Sequence, residues 1–357
     1  MRLIRARVDS SALRANLQVV RACAPGRRVM AVVKANAYGH GLVSTALALA
    51  DADAFAVARL EEAIALRAAG LKRRIVLLEG VFNAEQLAEA GHLELDMVVH
   101  QELQIALIEQ ERPARRHRLW LKVDTGMNRL GFRPERFAAA WQRLMQCLPA
   151  PLELRVLTHL SGADEEDGES TAAQLERLRP LVAGLPAEIS IANSAGILAW
   201  PETHAQWVRP GLALYGLSPF PGRRGMEFGL RPAMTLESTV IAVRDVLAGE
   251  RVGYGGAWQA QCPSSIAIIA AGYGDGLLRS LASGASVLIS QRRAPLVGRV
   301  SMDMIAADVT ALPGVGVGDR VQLWGPQLPV EELSLAAGTI PYELICAVSQ
   351  RVPIELV

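Results

Sequence analysis

The chain has 357 residues, of which 51% are hydrophobic and 20% charged, so it can build a large core and is not expected to be disordered. Its formal net charge of +1 gives no electrostatic reason to expect a nucleic acid or an anionic membrane as a partner. The four cysteines form no C-x-x-C pair, which argues against a disulfide framework or a zinc site, and no metal is expected. The first ten residues do not resemble a secretory signal, and no apolar run has the length of a membrane span. These features predict a soluble, cytoplasmic protein.

Short apolar runs alternate with helical patterns from about residue 28 to residue 217. The runs that predict strands are Val29–Lys34, Ala54–Ala58, Ile75–Leu78, Leu95–Val99, Leu119–Val123, Leu154–Thr158, Glu188–Ala192 and Trp207–Leu214. Amphipathic stretches rich in Ala, Leu, Glu and Gln lie between them and predict helices. Strands that each precede a helix pair in parallel through right-handed crossovers, and eight such units predict an α/β fold of the (β/α)8 TIM barrel type. A doubly wound open sheet is the alternative.

The pattern changes after residue 225, where β-type runs alternate with turns that contain Gly and Pro. The runs are Thr235–Val243, Ser265–Ala271, Ala285–Ser290, Pro295–Val300, Ile305–Val309 and Arg320–Trp324. This pattern predicts a mostly antiparallel β domain over residues 226–357, after a barrel domain over residues 9–225. Phe220–Gly225 is the expected linker, and residues 1–8 alternate like a strand that could pair with the second domain.

Polar residues lie at the ends of several predicted barrel strands, and one interrupts the eighth, at the end where such a barrel carries its active site. They are Lys34, Lys122, Asp124, His159, Asn193, Ser194 and Arg209. Their recurrence is hard to explain by packing alone, because burying polar groups without partners is unfavourable. Lys34 follows Val32 and Val33, and partial desolvation would lower the pKa of its amine and make it a usable nucleophile. On position alone, a surface lysine at a strand end remains the alternative.

A series of short motifs runs in order along nearly the whole chain. The motifs are VKANAYGHG at 33–41, KVDTGMNRLG at 122–131, His159, Asn193-Ser194, Arg209-Pro210-Gly211, VGYG at 252–255, GYGDG at 272–276, GRVSMD at 298–303 and PYE at 341–343. The set resembles the alanine racemase family, although any one motif would be weak evidence. The resemblance implies a barrel followed by a β domain, pyridoxal 5'-phosphate as cofactor, and interconversion of L-alanine and D-alanine.

The resemblance also implies the roles of the reacting groups. Lys34 would hold the cofactor aldehyde as a Schiff base and act on the face of the D-enantiomer, and Tyr254 would act on the face of the L-enantiomer. A phenol needs activation to serve as a base, and His159 is the candidate for the basic neighbour of Tyr254. In this family the tyrosine reaches the barrel of the other subunit, which implies a homodimer with shared active sites.

Further positions match the family's cofactor contacts. Asn193, Ser194, the amides of Gly211 and Leu212, and the side chains of Tyr38 and Tyr342 are assigned to the cofactor and its phosphate. Arg209 would face the pyridine nitrogen and keep it unprotonated, because an arginine does not give up its proton. This would favour reprotonation of the substrate over transamination.

Arg129 would lie beside the cofactor's phenolic oxygen and the substrate carboxylate. Met302, through its amide, and Asp303 match the substrate end of the family's site. Lys122 would be carbamylated, so that it becomes an anion that orients Arg129; an ordinary lysine paired with a carboxylate is the alternative. Ser301, where the family often has Cys, and Gly274, where Ala is also familiar, are the departures.

Two other functions compete with the racemase. A non-catalytic pyridoxal-phosphate-binding protein would resemble the first part of the chain but would lack the second domain. A barrel-type decarboxylase typically places an acidic residue, not an arginine such as Arg209, against the pyridine nitrogen. Alanine is the expected substrate and serine a slower one, while a biosynthetic and a catabolic role both stay open.

Overall fold

The computed structural model describes residues 3–111, 118–147, 153–281 and 284–357. Its internal contacts divide the chain into two compact units. The barrel unit comprises Arg14–Ala37 and Leu42–Leu214, and the sheet unit comprises Met1–Leu13, Tyr38–Gly41 and Tyr215–Val357.

The chain opens with strand β1 (Arg5–Val8) and the helix Ser10–Cys23, and then builds the barrel unit. Eight strands form a closed parallel barrel in chain order: β2 (Arg28–Val32), β3 (Ala54–Val57), β4 (Arg74–Leu77), β5 (Asp96–Val99), β6 (Arg118–Lys122), β7 (Leu154–Leu157), β8 (Ile189–Ser190) and β9 (Trp207–Val208). The barrel closes where Arg28 of β2 lies opposite Trp207 of β9. The predicted (β/α)8 barrel is therefore confirmed.

Helices follow the barrel strands. Their bounds are Leu42–Ala48, Leu60–Ala68, Ala84–His92, Glu102–Glu111, Pro134–Cys147, Glu169–Val182 and Ser194–Ala199. All residues of β3, β5 and β7 are buried, because a parallel barrel strand faces side chains inside and helices outside. The near-continuous apolar runs of the sequence have this origin.

Several predicted strands end earlier than expected, among them the first and the eighth of the barrel. The first ends at Val32 and not at Lys34, and the residues after Lys34 form a left-handed turn. The eighth ends at Val208, and Leu212–Tyr215 is a short 3-10 helix rather than strand. Pro210 explains the second difference, since proline has no N–H to donate to a neighbouring strand.

The sheet unit contains β1 and the remaining strands. These are β10 (Met234–Val246), β11 (Arg251–Val252), β12 (Trp258–Gln259), β13 (Ser264–Ile269), β14 (Ser286–Ile289), β15 (Arg292–Val297), β16 (Ile305–Asp308), β17 (Arg320–Trp324) and β18 (Ile354–Leu356). The main sheet has the order β13-β16-β15-β14-β17-β10-β1-β18, and β13 also pairs with β10. Only the β1–β18 pair is parallel among the described strands of this sheet, which confirms the mostly antiparallel domain.

Two helices of the sheet unit, Val330–Ala337 and Pro341–Ala347, were not predicted from the sequence. The second begins at a proline. Proline suits the first helical turn, because an N–H at that position would have no acceptor within the helix. None of the helices in the described part of the chain combines the length and apolar character that a membrane span requires.

Candidate active site

The barrel unit gathers cationic side chains from distant parts of the sequence. Arg209, Lys122, Arg129 and Lys34 all lie close enough to His159 to lower its pKa. Lys122 and Arg209 are buried, Lys34 and His159 are half-buried, and Arg129 is exposed. Asp124 is the carboxylate that acts on Lys122 in the opposite direction. Residues from the ends of four predicted strands thus meet at one mouth, where positive charge exceeds negative charge.

Arg209 is buried directly after β9 and is held by neutral groups. Its Nη1 donates to Ser190 Oγ at 2.7 Å, and its Nη2 donates to the carbonyl oxygens of Thr158 at 2.6 Å and Ile191 at 3.2 Å. No carboxylate of the described residues forms an ion pair with it. Burial lowers the pKa of Arg209 to about 10, which still leaves it a cation at neutral pH. The guanidinium is therefore fixed in place but not neutralised.

The imidazole of His159 is neutral and contacts the guanidinium of Arg209. Arg209 Nη2 lies 3.3 Å from His159 Nδ1, and because a guanidinium can only donate, this contact favours the tautomer with the ring proton on Nε2. Burial, followed by the four cations, holds the pKa of His159 well below 6.5. In this tautomer the ring offers an Nε2–H donor.

Lys122 is the last residue of β6 and is buried. Burial, with a further contribution from Arg209 and Arg129, lowers the pKa of its amine to about 8. About a tenth of the amine is thus unprotonated at pH 7, and only that form is nucleophilic.

Asp124 shapes the loop that carries Arg129. Its Oδ1 accepts hydrogen bonds from the amides of Gly126 and Asn128, each at 3.0 Å. Asn128 adopts a left-handed φ of 56°, which asparagine tolerates better than most residues. This carboxylate therefore organises the backbone and is not free to neutralise the whole cationic cluster.

Ser194 begins the helix after β8 and lies buried beside the chain that follows β9. Its Oγ accepts hydrogen bonds from the amides of Gly211 at 2.9 Å and Ala213 at 3.2 Å. A hydroxyl that accepts twice keeps its own proton for a ligand. The Gly211 amide, expected to face a phosphate, donates to Ser194 in this structure, whereas the described residues offer no acceptor to the Leu212 amide. Asn193 caps the helix through an Oδ1 that accepts from Gly196.

The remaining candidate residues lie in the sheet unit. Tyr38 and Tyr342 have ring centroids 6.0 Å apart, and burial raises the pKa of Tyr38, so its phenol is a hydrogen-bond donor at any physiological pH. Tyr254 is 70% exposed and Met302 is 52% exposed, so both side chains are accessible at the surface of the single chain. Asp303 accepts a hydrogen bond from Arg351 Nη2 at 2.7 Å.

Sequence reasoning missed several residues that hold the site together. Ser190 carries the hydroxyl that fixes Arg209, and Gln174 donates from Nε2 to Thr125 Oγ1 and to the carbonyl oxygen of His159. A serine inside the apolar run Glu188–Ala192 was a visible signal for the first. The second had none, since Gln174 is one of many polar residues in an amphipathic helix. No group of side chains that could hold a metal ion is found within residues 3–111, 118–147, 153–281 and 284–357.

Comparisons with known proteins agree along the whole chain. Residues 8–219 match the family model "Alanine racemase, N-terminal domain", and residues 233–356 match "Alanine racemase, C-terminal domain". The alanine racemases of Shewanella sediminis and Shewanella putrefaciens are 47% and 48% identical over 352 residues, which is 99% of this chain and 98% of theirs. The crystal structure of biosynthetic alanine racemase from Pseudomonas aeruginosa has a TM-score of 0.96 at 44% identity, with 100% of both chains covered. That of the Acinetobacter baumannii alanine racemase has a TM-score of 0.94 at 36% identity, again over 100% of both chains.

Proposed function

Because the chain belongs to the alanine racemase family, we propose that it interconverts L-alanine and D-alanine with pyridoxal 5'-phosphate bound at Lys34. It is an isomerase of the racemase class. The observation that carries the proposal is the excess of cations at the barrel mouth. A phosphate of nearly two negative charges and a substrate carboxylate are the groups that such a mouth would neutralise.

The described residues fit the cofactor. Lys34 supplies an amine for its aldehyde, and Arg209 supplies a fixed cation that has no carboxylate partner among the described residues. Ser194 offers a free hydroxyl proton and Leu212 a free amide, both suited to phosphate oxygens. By family resemblance, Asn193, Gly211, Tyr38 and Tyr342 complete the cofactor contacts, and the buried neutral phenol of Tyr38 suits a donor role.

The two proton-transferring groups are assigned to opposite faces of the substrate. When bound, the cofactor withdraws electrons from the substrate Cα and makes its proton acidic. Lys34 removes or returns the proton on the face of the D-enantiomer, and Tyr254 of a second copy of the chain serves the face of the L-enantiomer. His159, a neutral Nε2–H donor, would stabilise the deprotonated Tyr254 rather than remove its proton.

Arg209 restricts the reaction to proton transfer. It stays protonated because its pKa of about 10 lies above physiological pH, and its contacts with Ser190 and Thr158 hold its position. A ring nitrogen that faces such a group stays unprotonated, so that negative charge remains near the substrate Cα. This supports racemisation over transamination, and no observation favours a decarboxylase or a non-catalytic binding protein.

Substrate recognition is assigned to Arg129, to the Met302 amide and to Asp303. Lys122 is proposed to be carbamylated, which its lowered pKa supports because only an unprotonated amine reacts with carbon dioxide. The resulting anion would lie among Arg209 and Arg129 and would relieve their repulsion.

The remaining assignments follow the family. We assign the barrel domain to residues 9–225 and the β domain to residues 226–357, in a cytoplasmic homodimer whose subunits share their active sites. The exposure of Tyr254 and Met302 in a single chain supports a partner surface there.

The proposal is tested by the absorbance of the purified protein, followed by borohydride reduction and peptide mapping. We expect a visible absorbance band from a lysine-bound cofactor, the reduced label on Lys34, and equal amounts of the two enantiomers when either is supplied. Lys34→Ala should lose the label and the activity, while the exposed Lys72→Met keeps both. A label on another lysine would refute the assignment.

Shared active sites predict complementation between inactive variants. A dimer of one Lys34→Ala and one Tyr254→Phe chain would hold one intact site and one doubly altered site. Random subunit mixing should therefore restore about a quarter of the wild-type activity. If both residues serve the site of their own chain, the mixture stays as inactive as its components.

A further inference from the structure

The segment after Lys34 adopts a backbone that its sequence does not favour. Ala35, Asn36, Ala37 and Tyr38 have φ of 53°, 53°, 54° and 52°, in the left-handed region. Alanine and tyrosine rarely adopt this conformation, because Cβ then approaches the next carbonyl oxygen. Such a run persists only where surrounding contacts hold it.

The carboxylate of Glu62 supplies such a contact. Its Oε1 accepts a hydrogen bond from the Ala35 amide at 2.6 Å, directly after Lys34. Its Oε2 accepts from the amides of Ala58 at 2.9 Å and Arg59 at 3.1 Å, at the start of the helix Leu60–Ala68. One side chain therefore links the segment after β2 to the segment after β3.

The two carboxylate oxygens of Glu62 accept hydrogen bonds from different segments. Oε2 completes the capping of its own helix, which is the ordinary role of a glutamate at this helical position. Oε1 plays no part in that cap, and its only described donor belongs to the turn beside Lys34. Other described hydrogen bonds of the turn run from Ala37 N to Val33 O and from Leu42 N to Asn36 Oδ1.

We propose that Glu62 is a positioning residue, whose Oε1 fixes the left-handed turn and thereby aims the Lys34 amine into the barrel mouth. The inference rests on the proposed function in one respect, namely that Lys34 holds the cofactor. A rigid turn keeps the amine near one place before the cofactor arrives and after the substrate releases it.

The test compares Glu62→Gln with Glu61→Gln. Both variants remove one negative charge from the first turn of the same helix, but Glu61 makes no described contact. An amide has a single acceptor oxygen, so Glu62→Gln cannot serve both sets of amides. Glu62→Asp provides a charged variant, too short to span both segments, in case the first variant is poorly folded.

Two readouts follow the turn and the lysine separately. Deuterium exchange of the 35–38 amides should quicken by about ten- to a hundredfold in Glu62→Gln, the loss expected for a hydrogen bond to a charged group. The rate at which cofactor-free protein captures pyridoxal phosphate on Lys34, followed by absorbance and borohydride mapping, should fall by a similar factor. Glu61→Gln should match the wild type in both.

Each outcome bears on a different claim. Wild-type exchange and capture in both Glu62→Gln and Glu62→Asp would overturn the role of Glu62. Faster exchange with unchanged capture would also overturn it, since the turn would then not aim the lysine. If the wild-type protein captures no cofactor on Lys34, the proposed function fails, and the exchange rates alone still decide whether Glu62 holds the turn.

Discussion

The two ends of the barrel differ in whether their charged side chains form ion pairs. At the mouth, Arg209 has no carboxylate partner among the described residues, and Lys122 is repelled by its neighbours. At the starts of the strands, arginines and carboxylates alternate and pair: Arg28, Arg74, Arg118 and Arg155 with Asp96, Glu153 and Glu188.

Asp96 lies at the centre of the paired end. Its fully buried carboxylate lies 2.6 Å from Arg118 Nε and 3.2 Å from Arg74 Nη1, and it accepts from Trp120 Nε1 at 3.3 Å. Arg28 lies over the ring of Trp207, with its Cζ 4.4 Å from the ring centroid. At this end, therefore, each of these charged side chains has a partner of opposite sign among the described residues.

The comparison separates charge that serves stability from charge that serves function. Buried charges are tolerated when they are paired and hydrogen-bonded, as they are at the paired end around Asp96. Unpaired cations lower the stability of the empty protein and persist where a ligand supplies the missing negative charge. The contrast between Asp96 and Arg209 thus marks the functional end without reference to any relative.

Asp96→Asn should have the largest effect on folding. The substitution keeps the shape but leaves three arginines around an uncharged amide, and breaking a buried pair destabilises by about 3–5 kcal/mol. Chemical denaturation measures the free energy of unfolding. Racemase activity per folded molecule should stay unchanged, because the site is at the other end; a loss of activity without a loss of stability would break the comparison.

Lys122→Met should raise the free energy of unfolding of the cofactor-free protein, whereas Asp96→Asn lowers it. Lowering the pKa of this lysine from 10.5 to about 8 corresponds to a destabilisation of about 3 kcal/mol, which the variant removes at pH 7 in buffer free of carbon dioxide. Racemase activity should fall, since Arg129 loses its neighbour. Denaturation and kinetics on the same preparation test both effects.

The pH dependence gives the control for that variant. A lysine whose pKa is lowered on folding destabilises fully below pH 8, and the destabilisation disappears as the pH rises towards 10.5. The stability difference between Lys122→Met and the wild type should therefore shrink over that interval. Lys72→Met, at an exposed position, should show no such trend.

Glu109→Gln should have the smallest effect. Glu109 pairs with Arg143 through two hydrogen bonds of 2.8 Å, but both side chains are more than one-third exposed. Exposed pairs contribute about 0.2–1 kcal/mol and weaken with salt. Denaturation at low and high salt should show a loss of unfolding free energy within this range, well below the loss in Asp96→Asn. A loss as large as that of Asp96→Asn would contradict the distinction between buried and exposed ion pairs.

Much of the fold was predictable because barrel strands carry a strong local signal. The buried run Ala54–Val57 is apolar throughout, and Leu154–Leu157 is apolar except for Arg155; the positions of both strands were predicted to within a residue or two. The short strand Trp207–Val208 was overestimated, since apolar residues continue past it into a 3-10 helix. Composition does not distinguish a buried strand from a buried helical turn.

Details of the candidate site depend on partners distant in sequence. The left-handed turn after Lys34 has no local signal, because alanine disfavours it and the contact that holds it comes from Glu62. The tautomer of His159 depends on Arg209, 50 residues further along the chain. Residue identities at strand ends predicted the cluster of cations but could not predict these states.

Strand β1 has a consequence for the order of synthesis. It pairs with β10 and β18, and Arg5 contacts Glu237 and Glu355, which lie 232 and 350 residues away. At ribosomal rates, about 10–50 s separate the emergence of Arg5 from that of Glu237. All eight barrel strands are made within that interval, so the barrel can close while β1 still waits for its partners. A nascent chain stalled before β10 would therefore expose β1 as an unpaired strand edge, open to pairing with another chain.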